Sequence, residues 1–276
     1  MARTPAAVLA ATTCVVEGGW GTYRQFQAIF NFYAASRRCR TFVATDQDGR
    51  VVATSVAVRF GLTGWIAHVF VRPDLRGHGL GGRMTSVAID HLRRTGCEAI
   101  RLAATELGRP VYDRLGFRVE SAYHELKGTA LPKTVPMSPF RPLLPSDREA
   151  LMTLDRQVTG EDRTEVMPTF LPYGWGLSVE GRMAGAVIPV PWGGAAAIML
   201  PGAGEGETAA LIRLIRTVGA IGSEVMVYPA DENTRALGLL RDQGFEELRT
   251  VPRMVLGRGL EWTPAAIWNP LSLGLG

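Results

Sequence analysis

The 276-residue chain has only three cysteines, Cys14, Cys39 and Cys97, far apart and without a CxxC pair. Their scarcity excludes a disulfide framework and a cysteine zinc site, and it suits a reducing compartment, so a cytoplasmic location is expected. Four histidines form no ligand cluster with cysteines, and no metal is expected. No apolar run reaches the roughly 18 residues of a membrane span. The opening "MARTPAAVLAATTCVVEGG" has too short an apolar part, with Pro5 ahead of it and Glu17 behind, to read as a signal peptide, and the expectation there is a strand and loop. Basic runs are absent too: 30 Lys and Arg against 26 Asp and Glu give a scattered net charge of +4. That argues against nucleic-acid and membrane partners and suits a small anionic ligand.

Proline is concentrated. "LPKTVPMSPFRPLLP" (131–145) carries five prolines, which can form neither a helix nor a central strand, because each removes a backbone donor and fixes φ. It reads as a stiff linker between halves 1–130 and 146–276. The first half has a mixed α/β pattern. Tyr23, Phe26, Ile29, Phe30 and Tyr33 fall at helical spacing within 23–37, and "RTFVAT" and "RVVATSVAVRF" flank the acidic turn "DQDG" as a hairpin. "GWIAHVFV" (64–71) reads as a strand. A helix is expected over 82–95, with Met84, Val87, Ala88, His91 and Leu92 on one stripe. The strand "EAIRLAAT" (98–105) follows, then a short helix over 109–115 with Pro110 in its first turn, ended by Gly116.

Between the strand and the long helix lies "RPDLRGHGLGG". Gly77, Gly79 and Gly82 fit G-x-G-x-x-G, but five residues separate them from the strand, whereas a dinucleotide fold places its glycines almost directly after it. The overlapping pattern Arg76-x-x-Gly79-x-Gly81 resembles the cofactor loop of the GNAT acetyltransferase superfamily. Glycines there let successive N–H groups converge on a diphosphate, and the following helix adds the positive end of its dipole. "ELGRPVYDRLGF" downstream resembles the family's second motif, with Tyr112 four residues before Gly116-Phe117. The likeness covers about residues 10–127.

The resemblance implies an α/β GNAT fold: a central, splayed, mixed sheet flanked by helices. It implies coenzyme A, as acetyl-CoA, for the acyl donor and a small-molecule amine for the acceptor. Main chain of Val69, Phe70 and Val71 would bind pantetheine and polarise the thioester. Arg76, Gly77, His78, Gly79, Leu80, Gly81 and Gly82 would hold the diphosphate, Thr105 would lie near the cofactor, and Tyr112 would serve the leaving thiolate. No general base is assigned. His68, Glu106, His124, Glu125 and water remain candidates, and strand alternation, which sets His68 beside Ile66 and opposite Trp65 and Ala67, favours a buried, hydrogen-bonded His68. Trp20, Tyr23, Phe26 and Trp65 read either as walls of an acceptor pocket or as core.

The second half contains an echo. "DENTRALGLLRDQGFEEL" follows "EVMVYPA" as "ELGRPVYDRLGFRVE" follows "EAIRLAAT", which sets Asn233 on Thr105 and Leu240 on Tyr112. "PGAGEGETAALIRLI" (201–215) has glycines before a helix, but Glu205 and Glu207 where positive charge would be needed. This half therefore resembles a smaller, degenerate GNAT-like domain over about 176–256, whose expected roles are walling the acceptor site, forming a homodimer or docking a partner. Two other readings of the whole chain stay open: an acyltransferase fed by an acyl carrier protein, and a non-catalytic CoA-binding module.

Overall fold

The structure is a computed structural model that describes residues 4–132 and 138–276. Part of the proline-rich stretch, 133–137, lies outside the described residues. The chain forms two compact units: Met1–Glu120 with Arg253–Gly259 and Leu275, and Ser121–Pro252 with Leu260–Gly274 and Gly276. The first unit thus takes in a short piece from the end of the chain.

That unit opens with α1 (Pro5–Glu17), where a strand and loop are expected from the sequence. Thr4 accepts from the Ala7 amide at 3.3 Å and Pro5 occupies the first turn. Val8, Ala11, Thr12 and Val15 are buried at helical spacing, and they outweigh the strand preference of the β-branched residues. α2 (Tyr23–Ala35) is opened by a capping box between Thr22 and Gln25. β1 (Cys39–Thr45) and β2 (Val51–Phe60) pair antiparallel around a turn in which Asp46 Oδ1 accepts from the amides of Asp48 and Arg50.

β3 (Thr63–Val71) pairs antiparallel with β2, and Thr54 faces Phe70 while Val56 faces Ala67. One residue of β2 therefore opposes two of β3, a bulge at which His68 takes φ 47°. α3 (Leu80–Arg94) begins two residues earlier than the sequence suggests, and its buried stripe runs through Met84, Thr85, Ala88, Ile89 and Leu92. Val87, expected on that stripe, is 43% exposed. β4 (Ala99–Ala103) lies parallel to β3 over three registers only, Thr63–Ala99, Gly64–Ile100 and Trp65–Arg101. The short α4 (Arg109–Arg114) leads into β5 (Arg118–Thr129).

The second unit begins within β5, at Ser121. After it come β6 (Arg141–Pro142), α5 (Arg148–Thr159), β7 (Trp175–Val179), β8 (Arg182–Pro189) and β9 (Ala195–Met199). They are followed by α6 (Glu205–Val218), β10 (Ala220–Ile221), β11 (Glu224–Val227), α7 (Thr234–Asp242), β12 (Glu246–Gly257) and β13 (Ile267–Asn269). One sheet of this unit has the order β13-β9-β8-β7-β6. In the other, residues 126–129 of β5 pair antiparallel with β11, which pairs with β10.

The internal echo is structural. At the end of α4, Phe117 N–H bonds to Tyr112 O at 3.0 Å and Gly116 N–H to Asp113 O at 3.0 Å; at the end of α7, Phe245 N–H bonds to Leu240 O at 3.0 Å and Gly244 N–H to Arg241 O at 2.9 Å. Gly116 and Gly244 take φ 86° and 80°, the left-handed conformation that ends each helix. The strands that follow, β5 and β12, are 12 residues each. Each begins in one unit and ends in the other: β5 ends paired with β11, and β12 ends antiparallel to β4, Arg253 opposite Ala103 and Gly257 opposite Ala99.

Met254 of β12 is fully buried in the core of the first unit, in one cluster with Ile100, Leu102 and Tyr112. Met254→Ala is expected to cost about 2–5 kcal/mol, read as a lower denaturation midpoint in urea.

Candidate functional site

The glycine loop starts where β3 ends. Arg72 N–H still bonds to Val52 O at 2.9 Å, and the Arg72 guanidinium grips Asp74 through two hydrogen bonds of 2.7 and 2.9 Å. Pro73–Leu75 make a single 3₁₀ turn. Gly77 and Gly79 then take φ 83° and 78°, and a Cβ at either would meet nothing within 4 Å. Conformation, not space, requires glycine there, and the loop is open above both residues. α3 begins at Leu80 with no side-chain cap and no acidic residue in its first turn. The first-turn amides of Leu80, Gly81 and Gly82 have no intrahelical partner, and the helix dipole adds positive potential. This arrangement fits a diphosphate. Arg76 is exposed, its Nε bonded to Val71 O at 3.0 Å and its guanidinium 5.8 Å from the centre of the Phe70 ring. His78 is exposed in the same loop.

Beyond Trp65, β3 has no register with β4, so the strands part over residues 66–71. Phe70 and Val71 pair on the β2 side, and the Val69 side chain packs on the core beneath α3. Tyr112 belongs to that core, 7% exposed, with Phe117 edge-on at 6.0 Å. Gly108 lies against the ring: a Cβ there would stand 2.9 Å from it. Burial pushes the pKa of the Tyr112 phenol up to about 12. Thr105 is exposed and spends its Oγ1 on the Gly108 amide at 3.1 Å, a cap for the turn into α4.

The bulge overturns the expected alternation of β3. Ile66 joins Ala88, Ile89 and Leu92 of α3, whereas His68 is turned onto α2, its ring 5.5, 5.8 and 5.6 Å from those of Phe26, Phe30 and Tyr33. His68 Nε2 lies 3.1 Å from the Tyr33 hydroxyl, and burial lowers its pKa to about 4. In the sequence Tyr33 is visible only as a helix-stripe residue. Glu106 is exposed in the turn before α4. His124 and Glu125 belong to the second unit. His124 holds Glu247 at 2.7 Å and Asp231 at 2.9 Å; burial opposes its charge, but these hydrogen bonds prevail and raise its pKa. Glu125 is engaged by Arg249 and by the Tyr228 hydroxyl at 3.2 Å. Trp65 is fully buried under the Arg253 guanidinium at 4.9 Å, and Trp20 packs edge-on to Phe70 at 5.3 Å, so both rings serve packing.

The model of the Acetyltransferase (GNAT) family matches residues 9–117. Residues 9–117 thus form a GNAT domain. No curated protein matches the sequence. Among solved structures, a candidate acetyltransferase from Pyrococcus horikoshii is 17% identical with a TM-score of 0.81, covering 99% of this chain and 94% of that one. A GNAT from Sphaerobacter thermophilus is 16% identical, TM-score 0.62, with 94% of each chain covered. A tandem GNAT protein from the clavulanic acid biosynthesis pathway is 13% identical, TM-score 0.61, covering 95% of this chain and 98% of that one. At these identities the likeness is one of fold, and it runs through both halves. The first unit therefore contains the GNAT domain, and the chain as a whole has a two-domain GNAT fold. No helix among the described residues is long and apolar enough to cross a membrane.

The depressed pKa of His68 makes stability depend on pH. Between pH 6.5 and 4 the unfolded chain takes up the His68 proton before the folded one does, so stability falls as pH falls through that window. The full effect is about 3 kcal/mol. His68→Asn, which tolerates the positive φ, is expected to flatten the slope of urea stability between pH 4 and 6.5 relative to the wild type.

Proposed function

We propose that the chain is an N-acyltransferase that moves an acyl group, acetyl first, from coenzyme A to the primary amine of a small molecule, using the GNAT domain. The observation that carries this reading is the open, left-handed glycine loop running into the uncapped first turn of α3, beside strands that have parted. In this reading the loop from Arg76 to Gly82 holds the diphosphate, and main chain of Val69–Val71 holds the pantetheine and the thioester carbonyl.

The amine nitrogen attacks the thioester carbon, forming the C–N bond, and main-chain N–H groups of β3 receive the oxyanion. Collapse breaks the C–S bond. Tyr112, with its pKa pushed up to about 12, stays protonated at neutral pH. A thiol ionises near 8.5, so full proton transfer from this phenol to the thiolate is uphill by about 5 kcal/mol. Its role is accordingly to donate a hydrogen bond to the developing thiolate, and the proton released by the nitrogen is the one the sulfur finally keeps. The products, amide and free thiol, balance without a resident base. His68, with a pKa near 4, is a weak proton acceptor.

The second unit supports a single donor site per chain. Leu240 stands where Tyr112 would, and α6 carries Glu205 and Glu207 in its first turn. Arg235 donates to Ala203 O at 2.6 Å and to Thr208 Oγ1 at 3.0 Å across the loop before α6.

Calorimetry with CoA is expected to give a stoichiometry of one, and Tyr112→Phe to lower kcat roughly tenfold or more while Kd for CoA stays within about twofold. Thiol release from acetyl-CoA with a panel of amines reads the activity itself; absence of CoA binding would overturn the reading.

A further inference from the structure

One group of side chains in the GNAT domain has no part in holding the donor. Arg101 of β4, Glu120 of β5 and Arg253 of β12 meet in the interior, with exposures of 0%, 9% and 2%. Glu120 Oε1 accepts from Arg101 Nε at 2.7 Å and from Arg253 Nε at 2.8 Å. One carboxylate oxygen thus serves two guanidinium groups. Arg253 also lies over the face of Trp65 at 4.9 Å. Among the described residues neither Nη1 nor Nη2 of Arg101 has a hydrogen-bond partner, although both are buried. A buried, half-compensated guanidinium is costly, and an apolar residue on β4 would avoid that cost.

The position narrows what could complete it. Trp65–Arg101 is the last register that β3 shares with β4 before the strands part. Two parallel N–H donors on a planar fork match a carboxylate, which accepts through both oxygens. We propose that Arg101 receives the carboxylate of the acceptor, so that the substrate is an amine that also carries a carboxylate. This rests on the acyltransferase reading above. A carboxylate also matches the one unpartnered edge that Arg101 presents, since its Nε is already held by Glu120.

The test uses the full chain and three probes of matched size: β-alanine, its amide, and propionate, with sodium chloride as a fourth arm. Tryptophan fluorescence is read during each titration, with and without CoA. Saturable changes with β-alanine and propionate, and none with the amide, are expected. In Arg101→Met the carboxylate response should vanish, while Kd for CoA stays within about twofold. Should that variant fail to fold, Arg101→Lys, which keeps the charge but loses the fork, should weaken half-saturation about tenfold. Equal responses to β-alanine and its amide, no saturation with either carboxylate, or an unchanged response in the arginine variants would overturn the proposal. A saturable response to chloride equal to that of propionate would also overturn it, by assigning the site to inorganic anions. CoA calorimetry on the same samples separates these results from failure of the acyltransferase reading itself.

Discussion

The parting of β3 from β4 is the constraint on which the GNAT domain depends. Three registers hold the two strands together at one end, and at the other the main chain of β3 has no register with β4 on that side. Backbone donors and acceptors left so are costly unless water or a ligand meets them. The same divergence leaves the end of β3 next to the glycine loop, to which the proposed function assigns the diphosphate. A sheet that stayed paired along its length would leave no main chain of β3 free on the β4 side.

The bulge in β3 acts on the same segment. By opposing two residues of β3 to one of β2 it resets the phase of the strand, turning His68 from the α3 side onto the aromatic face of α2. A non-glycine residue at φ 47° is held there by the packing of Phe26, Phe30 and Tyr33 around its ring. The main chain just beyond, Val69 to Val71, is the stretch assigned to the thioester, so the strain sits next to the proposed chemistry.

The loop, both flanking elements and the helix that carries Tyr112 were legible in the sequence because each rests on local rules: glycine for positive φ, periodicity for helices, a fixed spacing for the helix-ending turn. The helix at Pro5–Glu17 was written there too, in Val8, Ala11, Thr12 and Val15, but its β-branched residues pointed the other way. His68 could not be placed, since alternation holds only while register is unbroken and nothing local in "WIAHVFV" announces a bulge. The Arg101–Glu120–Arg253 group was hidden for a different reason. Its members come from three strands separated along the chain, and each alone reads as an ordinary charge at a strand position.

The two halves share a backbone feature and differ in the charge around their helix ends. The turn that ends α4 recurs bond for bond at the end of α7, and the strands after it keep one length, because these set the backbone path and the packing of Phe117 and Phe245. What differs is electrostatic and local. α3 begins with bare amides and no acid, whereas α6 begins with Glu205 and Glu207, and the tyrosine position holds Leu240. Two carboxylates over a helix N-terminus satisfy the dipole from within the chain, stabilising the fold while repelling an anion such as the diphosphate proposed for the first unit. Stability and anion binding compete for the same amides, and under the proposed function the two units resolve that competition in opposite ways.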